Sequence, residues 1–414
     1  MTLRVLIIGG GIGGLISALC LHARGIQVQV FERMTAIRPL GVGINLLPHA
    51  VSVLHELGLA EKVAATAIAT SRLQYYNKFG QLIWSEPRGM PAGYPVPQYS
   101  IHRGILHALL HETVLERLGP AVQLGASFEA AWQHDGKVHV RVVGEDGRSR
   151  EVEADVLIGA DGIHSAVRRS FHPHEGPPKF AQRLLWRAVT EGEPFLDGRT
   201  MIMAGHQDQK FVCYPISQQH ARRGRALLNW IAELAVEQSE PPPQDWNRQV
   251  DAARFADRFR EWRFGWLNVP ALIQGATQIY EFPLADRDPL PQWTHGRSTL
   301  LGDAAHPMYP IGSNGASQAI LDAQALAAAL SQADGPEALQ AYEAARRPAT
   351  TQIVLANRRN GPEQVMQLAE ERAPQGFSDV HAVIARAELE AIAARYKQTA
   401  GFSVEQVQRQ IVPS

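Results

Sequence analysis

An α/β fold with one parallel sheet, a second sheet of alternating strands and a helical end is predicted by three observations. Residues 5–8 form a wholly apolar run that leads straight into Gly9, Gly11 and Gly14, with helical spacing beyond them. Two more apolar runs, hundreds of residues away, also stop on glycine and aspartate: Gly159-Ala160-Asp161-Gly162 and Gly302-Asp303. Between them lie stretches that alternate apolar and polar residues, the period of strands with one wet face.

The opening unit is the most specific. A strand buried on both faces reads as a continuous apolar run, as Val5-Leu6-Ile7-Ile8 does. Leu15, Ala18, Leu19 and Leu21 then recur at helical spacing until Gly25, and a second strand over 26–31 ends on Glu32, 18 residues past Gly14. The first glycine permits the tight turn, the second lets backbone approach a pyrophosphate, and the third lets helix pack on strand. Ile12 and Gly13 fall at the helix start, whose unpaired N–H groups favour phosphate. Glu32 can accept hydrogen bonds from a ribose, which favours a free 2′-OH, as in FAD or NAD.

A chain of 414 residues is expected to form two or three domains. Its formal charge of −1 leaves no electrostatic footprint for nucleic acid, and no basic run points to a membrane surface. Cys20 and Cys213 are the only cysteines, too few for a disulfide framework or a cysteine zinc site and suited to a reducing cytosol. Five glycines between residues 9 and 14 break the apolar N-terminus, unlike a targeting segment, and a cytoplasmic location is expected.

Residues 38–46 form a loop spaced by glycine and proline, placed either near a cofactor ring or as a surface connection. A helix over 48–57 follows, then a hairpin over 71–85. Arg103 stands where a strand gives way to a helix over 104–118, positioned for phosphate oxygens or for a surface ion pair. Residues 128–152 read as an antiparallel meander. Asp161 either caps the next helix or offers its carboxylate at the sheet edge where such folds bind ligands. Residues 176–284 return to β character, with Pro241-Pro242-Pro243 in a loop and Trp246, Trp262 and Trp266 in a segment read as helical. Gly312-Ser313-Asn314-Gly315 leads a helix over 316–330, and helices follow from Pro336 with a break at Arg347-Pro348.

Taken together, the three strand ends, with Arg38-Pro39-Leu40-Gly41-Val42-Gly43-Ile44-Asn45, Trp84-Ser85-Glu86-Pro87-Arg88-Gly89, Pro97 through Gly104, Gly159 through Arg168, Asp286-Arg287-Asp288-Pro289-Leu290-Pro291 and Gly312 through Leu321, resemble the class A flavin-dependent aromatic hydroxylases. Within that family they look most like its phenazine-modifying members. The resemblance implies the p-hydroxybenzoate hydroxylase fold: a Rossmann-like FAD-binding domain (1–70, 98–175 and 285–345), a β-sheet substrate domain (71–97 and 176–284) and a C-terminal helical segment (346–414). It implies that Gly9, Gly11, Ile12, Gly13, Gly14, Glu32 and Arg33 hold the ADP half of bound FAD. Arg103 would meet the pyrophosphate or ribityl region, Asp161 would serve FAD and a passing nicotinamide cofactor, and Gly302 and Asp303 would meet the ribityl chain. Gly43 and Pro310 would also meet the cofactor, with Gly312, Ser313, Asn314, Gly315 and Ala316 at the flavin's pyrimidine edge. Trp186, Tyr214 and Pro310 would line the substrate pocket.

The implied reaction uses NADH or NADPH transiently, O₂ as co-substrate and a flavin C4a-hydroperoxide that hydroxylates an aromatic or N-heteroaromatic acid, with a phenazine-like substrate as the family-led expectation. No catalytic residue of the protein itself is expected. His164 and His306 read as structural, no Gly-x-Ser-x-Gly elbow is present, and no metal site is expected. The glycines at 312 and 315 and the helix start beside them suit a reduced flavin independently, since its anionic edge is stabilised by the positive helix end. Two other readings stay open: a flavin dehydrogenase or reductase on the same fold, and a non-catalytic FAD-binding sensor. The expected assembly is a monomer or homodimer, without nucleic-acid or membrane partners.

Overall fold

The computed structural model describes residues 3–37, 41–238 and 248–411. Its first sheet is parallel and five-stranded, in the spatial order Ser298–Leu300, Val156–Gly159, Arg4–Ile8, Gln27–Phe31, Val122–Gln123. Val5, Leu6 and Ile7 at its centre are fully buried, as an apolar strand with helices on both sides must be. A Cβ on Gly14 would stand 1.9 Å from the Gly9 carbonyl, so helix Ile12–His22 rests on the strand end only because that residue is glycine. On its other side this helix packs against Gly315–Leu330.

The second sheet has seven strands, ordered Tyr280–Asp286, Lys179–Gly192, Ala226–Ala235, Gln209–Pro215, Thr200–His206, Arg72–Tyr76, Leu82–Pro87. Side-chain alternation divides it into two faces. Trp186, Phe211 and Trp230 point to one side and pack with Phe255, Phe259 and Trp262. Leu185, Met201, Met203, Val212 and Tyr214 point to the other, where Val365, Met366 and Leu389 of the C-terminal helices join them. A small antiparallel sheet, Gly43–Leu46, Tyr99–His102 and Ile68–Ala69, links the two large ones. The meander Ser127–His134, Lys137–Val143, Ser149–Ala154 forms a sheet of its own.

Two local expectations are corrected. Residues 252–259 are short 3₁₀ turns, and Arg263–Phe264 pairs with Leu267–Asn268 in a hairpin that carries Trp266 at its tip. Phe255, Phe259 and Trp262 have helical spacing, but they serve to cap the aromatic face of the sheet. Trp246 and Pro241-Pro242-Pro243 lie outside the described residues, as do Arg38, Pro39 and Leu40. The expected break at Arg347-Pro348 is absent: helix Gly335–Asn357 runs through Pro348. Interior proline costs about 3 kcal/mol, and anchors on both sides offset it. The Glu343 carboxylate accepts the Trp293 and Thr294 N–H groups, Arg346 grips Asp322, and Thr350 Oγ1 donates to the Arg346 carbonyl. Among the described residues no helix is long and apolar enough to cross a membrane.

Candidate active site

Strand register brings the three glycine-bearing strand ends together. Ile8 pairs with Gly159, and Gly159 with Leu300, so Gly9, Asp161 and Asp303 emerge side by side at the C-terminal edge of the parallel sheet. Gly9 has φ +109° and a Cβ there would lie 2.4 Å from the Ala160 carbonyl, which no other residue type accommodates. A Cβ on Gly11 would meet nothing within 4 Å, so that turn faces open space. The helix beginning at Ile12 has no side-chain cap, leaving its first N–H groups to face a ligand. Gly13 lies against Leu301 and Ala319. Glu32 is held by the turn it serves: its carboxylate accepts Gly10 N–H at 2.7 Å and Met34 N–H at 2.8 Å. Arg33 beside it is exposed. His107, which sequence reasoning missed, braces the turn from helix Arg103–Leu118, its Nε2 lying 2.6 Å from the Gly10 carbonyl. Burial depresses its proton affinity, so a neutral ring donates that bond.

Asp161 takes the capping role left open above: its carboxylate accepts from Ser165 Oγ and from the N–H groups of Ala166 and Val167. Asp303 is different. Water reaches its carboxylate, yet protein encloses it, and burial raises its pKa against the opposing charges of His306 and Arg103. Behind it, Gly302 turns at φ +59° and donates its N–H to Asp322 at 3.1 Å. Asp322 also meets His306 Nε2 at 2.5 Å and Arg346 Nε at 2.7 Å. Burial would raise the Asp322 pKa, but His306 and Arg346 outweigh it and bring it to about 2.

Facing Asp303 is the turn from Pro310 to Ala316. A Cβ on Gly315 would meet only the Asp303 carboxylate, 4.0 Å away, so the two residues border one space. Helix Gly315–Leu330, with Ala316 in its first turn, also lacks a side-chain cap. Gly312 and Ser313 both have positive φ, at +67° and +60°. Ser313 Oγ accepts from Asn45 Nδ2 at 3.3 Å, which sews the turn to strand Gly43–Leu46. Asn314 is buried, and Pro310 is exposed at the rim.

The second sheet closes the cleft through Gly43. Its N–H donates to Asn229 Oδ1 at 2.6 Å and its carbonyl accepts from Arg187 Nη2 at 3.0 Å. Tyr214, on the same sheet face, lies beside Arg187 and Asn229, and burial pushes its pKa to about 12. Arg187 Nε and Asn229 Nδ2 are buried without hydrogen-bond partners. Burial, and after it Arg103, lowers the pKa of Arg187, which makes no ion pair with a carboxylate among the described residues. Trp186, expected to line the substrate, is instead on the opposite face. It stacks on Phe255 at 4.5 Å and donates its indole N–H to Glu281. One step along a strand reverses the side a residue faces, so Arg187 enters the cleft and Trp186 does not.

A second basic group lies outside the turn. Burial, then the charges of Arg287, Arg33 and Arg169, depress the proton affinity of His164. A surface cleft of about 400 Å³ between residues 171–175 and 288–291 is flanked by Glu175 and Asp288, both ion-paired, Glu175 with Arg168 and Arg287. Among the described residues no His, Cys, Asp or Glu cluster can hold a metal ion.

An open glycine turn, two uncapped helix starts and an accessible carboxylate opposite a bare glycine fit a flavin dinucleotide laid along the sheet edge. The fold and this site define an FAD-dependent flavoprotein: the chain belongs to the FAD binding domain family, whose model matches residues 2–357. It is an aromatic hydroxylase of that class. It is 49% identical over 362 residues to a phenazine 1,6-dicarboxylic acid hydroxylase of Lysobacter antibioticus, covering 86% of this chain and 89% of the relative. It is 30% identical over 370 residues to a 3-hydroxybenzoate 6-hydroxylase of Klebsiella oxytoca, covering 87% and 88%. In fold it is similar to a salicylate hydroxylase in its substrate complex (TM-score 0.74, 23% identity, 100% and 98% covered). A Klebsiella pneumoniae protein, HpxO, with FAD and uric acid is also similar (TM-score 0.72, 22%, 99% and 95%). The p-hydroxybenzoate hydroxylase-like architecture expected from sequence is the one observed.

Proposed function

We propose that the substrate is a carboxylated N-heteroaromatic ring of the phenazine class, such as 5-methylphenazine-1-carboxylate or phenazine-1,6-dicarboxylate, and that Arg187 receives its carboxylate. The observation that carries this is the Arg187 guanidinium: half-enclosed, without an acidic partner and with an unsatisfied N–H, on the sheet face that borders Gly43. A buried cation costs several kcal/mol unless an anion repays it (roughly, for an unpaired ion). A substrate carboxylate would do so, with Asn229 and Tyr214 placed as further donors. The 49% identity to a phenazine dicarboxylate hydroxylase favours the same substrate class.

In this reading the glycine turn, Ile12 and Glu32 hold the ADP half of FAD, Asp303 the ribityl hydroxyls, and the N–H groups at residues 312–316 the pyrimidine edge. Gly43 and Pro310 border the ring. Bound FAD, reduced by NAD(P)H, activates O₂ and supplies one oxygen atom to the aromatic ring, the other leaving as water. The protein's part is to orient the ring and keep water from the reacting atoms. The exposed Arg33 and Arg169 form the basic ground on which the transient NAD(P)H phosphates settle.

The test is a panel of phenazine carboxylates, hydroxybenzoates and quinolones, scored for stimulated NAD(P)H oxidation and product mass under ¹⁸O₂. Labelled product from a phenazine carboxylate is expected. Unlabelled product would show a dehydrogenase instead, and stimulation by benzoates alone would move the substrate class.

A further inference from the structure

The family match ends at residue 357, yet helix Arg386–Thr399 lies beyond it and reaches back to the turn that borders Asp303. Tyr396 is 5% exposed, and its hydroxyl is the hub of that contact. It accepts from Asn314 Nδ2 at 2.8 Å and lies 2.8 Å from Asn357 Oδ1 and 3.2 Å from the Ile311 carbonyl, sharing its one proton between those two. Asn357 Nδ2 in turn donates to the Tyr309 carbonyl at 3.1 Å. The ring beneath fills the space that side chains at 312 and 361 would need: a Cβ on Gly312 would stand 2.0 Å from the Tyr396 hydroxyl, and one on Gly361 2.9 Å from its ring. The network continues through Gln318, whose Nε2 bonds Asn314 Oδ1 and the Ala400 carbonyl and whose Oε1 accepts from Arg346.

The turn needs such support. Gly312 and Ser313 both sit at positive φ, and for serine that conformation costs about 1–2 kcal/mol on its own. Within the turn, Asn314 Nδ2 also donates to the Gly312 carbonyl at 3.1 Å, so the group that Tyr396 holds is the one that ties the turn to itself.

We propose that Tyr396 is a positioning residue for the flavin, a latch from the C-terminal helices that fixes the 311–315 turn against the cofactor's pyrimidine edge. This rests on the reading of that turn given above. Tyr396→Phe keeps the ring and its packing and removes only the hydroxyl, so Asn314 and the Ile311 carbonyl lose their common partner.

The test compares holoenzymes of Tyr396→Phe and Tyr94→Phe. Tyr94 lies in the same C-terminal cluster, and its hydroxyl donates to the Phe402 carbonyl without touching the turn. Three quantities are read: FAD affinity, the midpoint potential of bound flavin, and the share of NAD(P)H oxidation that ends as hydrogen peroxide. Tyr396→Phe is expected to weaken FAD binding about tenfold, the value of one buried hydrogen bond, to shift the potential and to at least double the peroxide share. Tyr94→Phe should lose comparable thermal stability with none of these changes. Asn357→Ala, which leaves the tyrosine ring in place, should shift potential and coupling in the same direction, and serves if Tyr396→Phe does not fold. Equal behaviour of the two tyrosine variants would overturn the latch. If Asp303→Ala still loses FAD in that case, the flavin site stands without it; if Asp303→Ala also keeps FAD, the reading of the site falls with the latch.

Discussion

Replacing Arg187 by methionine separates binding from stability. The guanidinium offers a carboxylate two parallel charge-assisted hydrogen bonds, and each is worth about 1.5–3 kcal/mol net. Arg187 already spends one N–H on the Gly43 carbonyl, so about 3 kcal/mol is the sum for the carboxylate, roughly a hundredfold rise in Kd. The unliganded fold should respond differently. An enclosed cation without an acidic partner is a cost, and methionine of similar length removes it while forfeiting one bond to Gly43. The lost bond is worth about 1 kcal/mol, no more than the relief of the unpaired cation, so the melting temperature should hold or rise. Equilibrium titration with a phenazine carboxylate and with the same ring lacking the carboxyl group provides the assay. Arg187→Met should weaken the first about a hundredfold and the second less than threefold. Arg187→Lys, a point charge without the planar fork, should fall between. Equal losses for both ligands would refute the reasoning, as would a large drop in stability.

Asp303→Ala should purify with much less FAD, read from flavin absorbance per protein. Full flavin occupancy would refute its role. Gly312→Ala forces a Cβ into the Tyr396 hydroxyl and an alanine into positive φ. A loss of about 2–4 kcal/mol is expected from chemical denaturation, together with lower FAD content. Acid should destabilise the protein early. Burial, then Arg346, lowers the pKa of His49 from 6.5 to about 3, so below pH 6.5 the unfolded chain binds a proton that the folded one refuses. Stability then falls with pH, by about 2 kcal/mol at pH 5 from this residue alone. Asp322 adds to it further down, since the stability its low pKa supplies is present above 3.8 and lost as pH falls towards about 2. Urea midpoints between pH 2 and 8 check the order, and His49→Gln should flatten the upper part of the curve.

What was legible from residue order alone is what short-range chemistry dictates. Gly9 and Gly14 announce their turn because glycine is the residue that survives carbonyls 2.4 and 1.9 Å from its missing Cβ, and Glu32 follows at the spacing a ribose-binding carboxylate has. The strand ends at Asp161 and Asp303 show as apolar runs stopped by glycine and aspartate, and the parallel register that joins them follows from the buried sheet. Proline at 348 and the tryptophans at 262 and 266 misled the local reading because tertiary anchors outweigh propensity there. Which of two adjacent residues enters the cleft was not legible: Trp186 and Arg187 differ only in strand parity, and parity is set by what each face of the sheet packs against. Nor was the convergence of Tyr396 on a turn more than 80 residues away, or of Asp322 on Gly302. Those contacts arise from helix packing across the chain. A single buried hydroxyl or carboxylate carries no periodic signal in sequence, and only the folded structure decides what it touches.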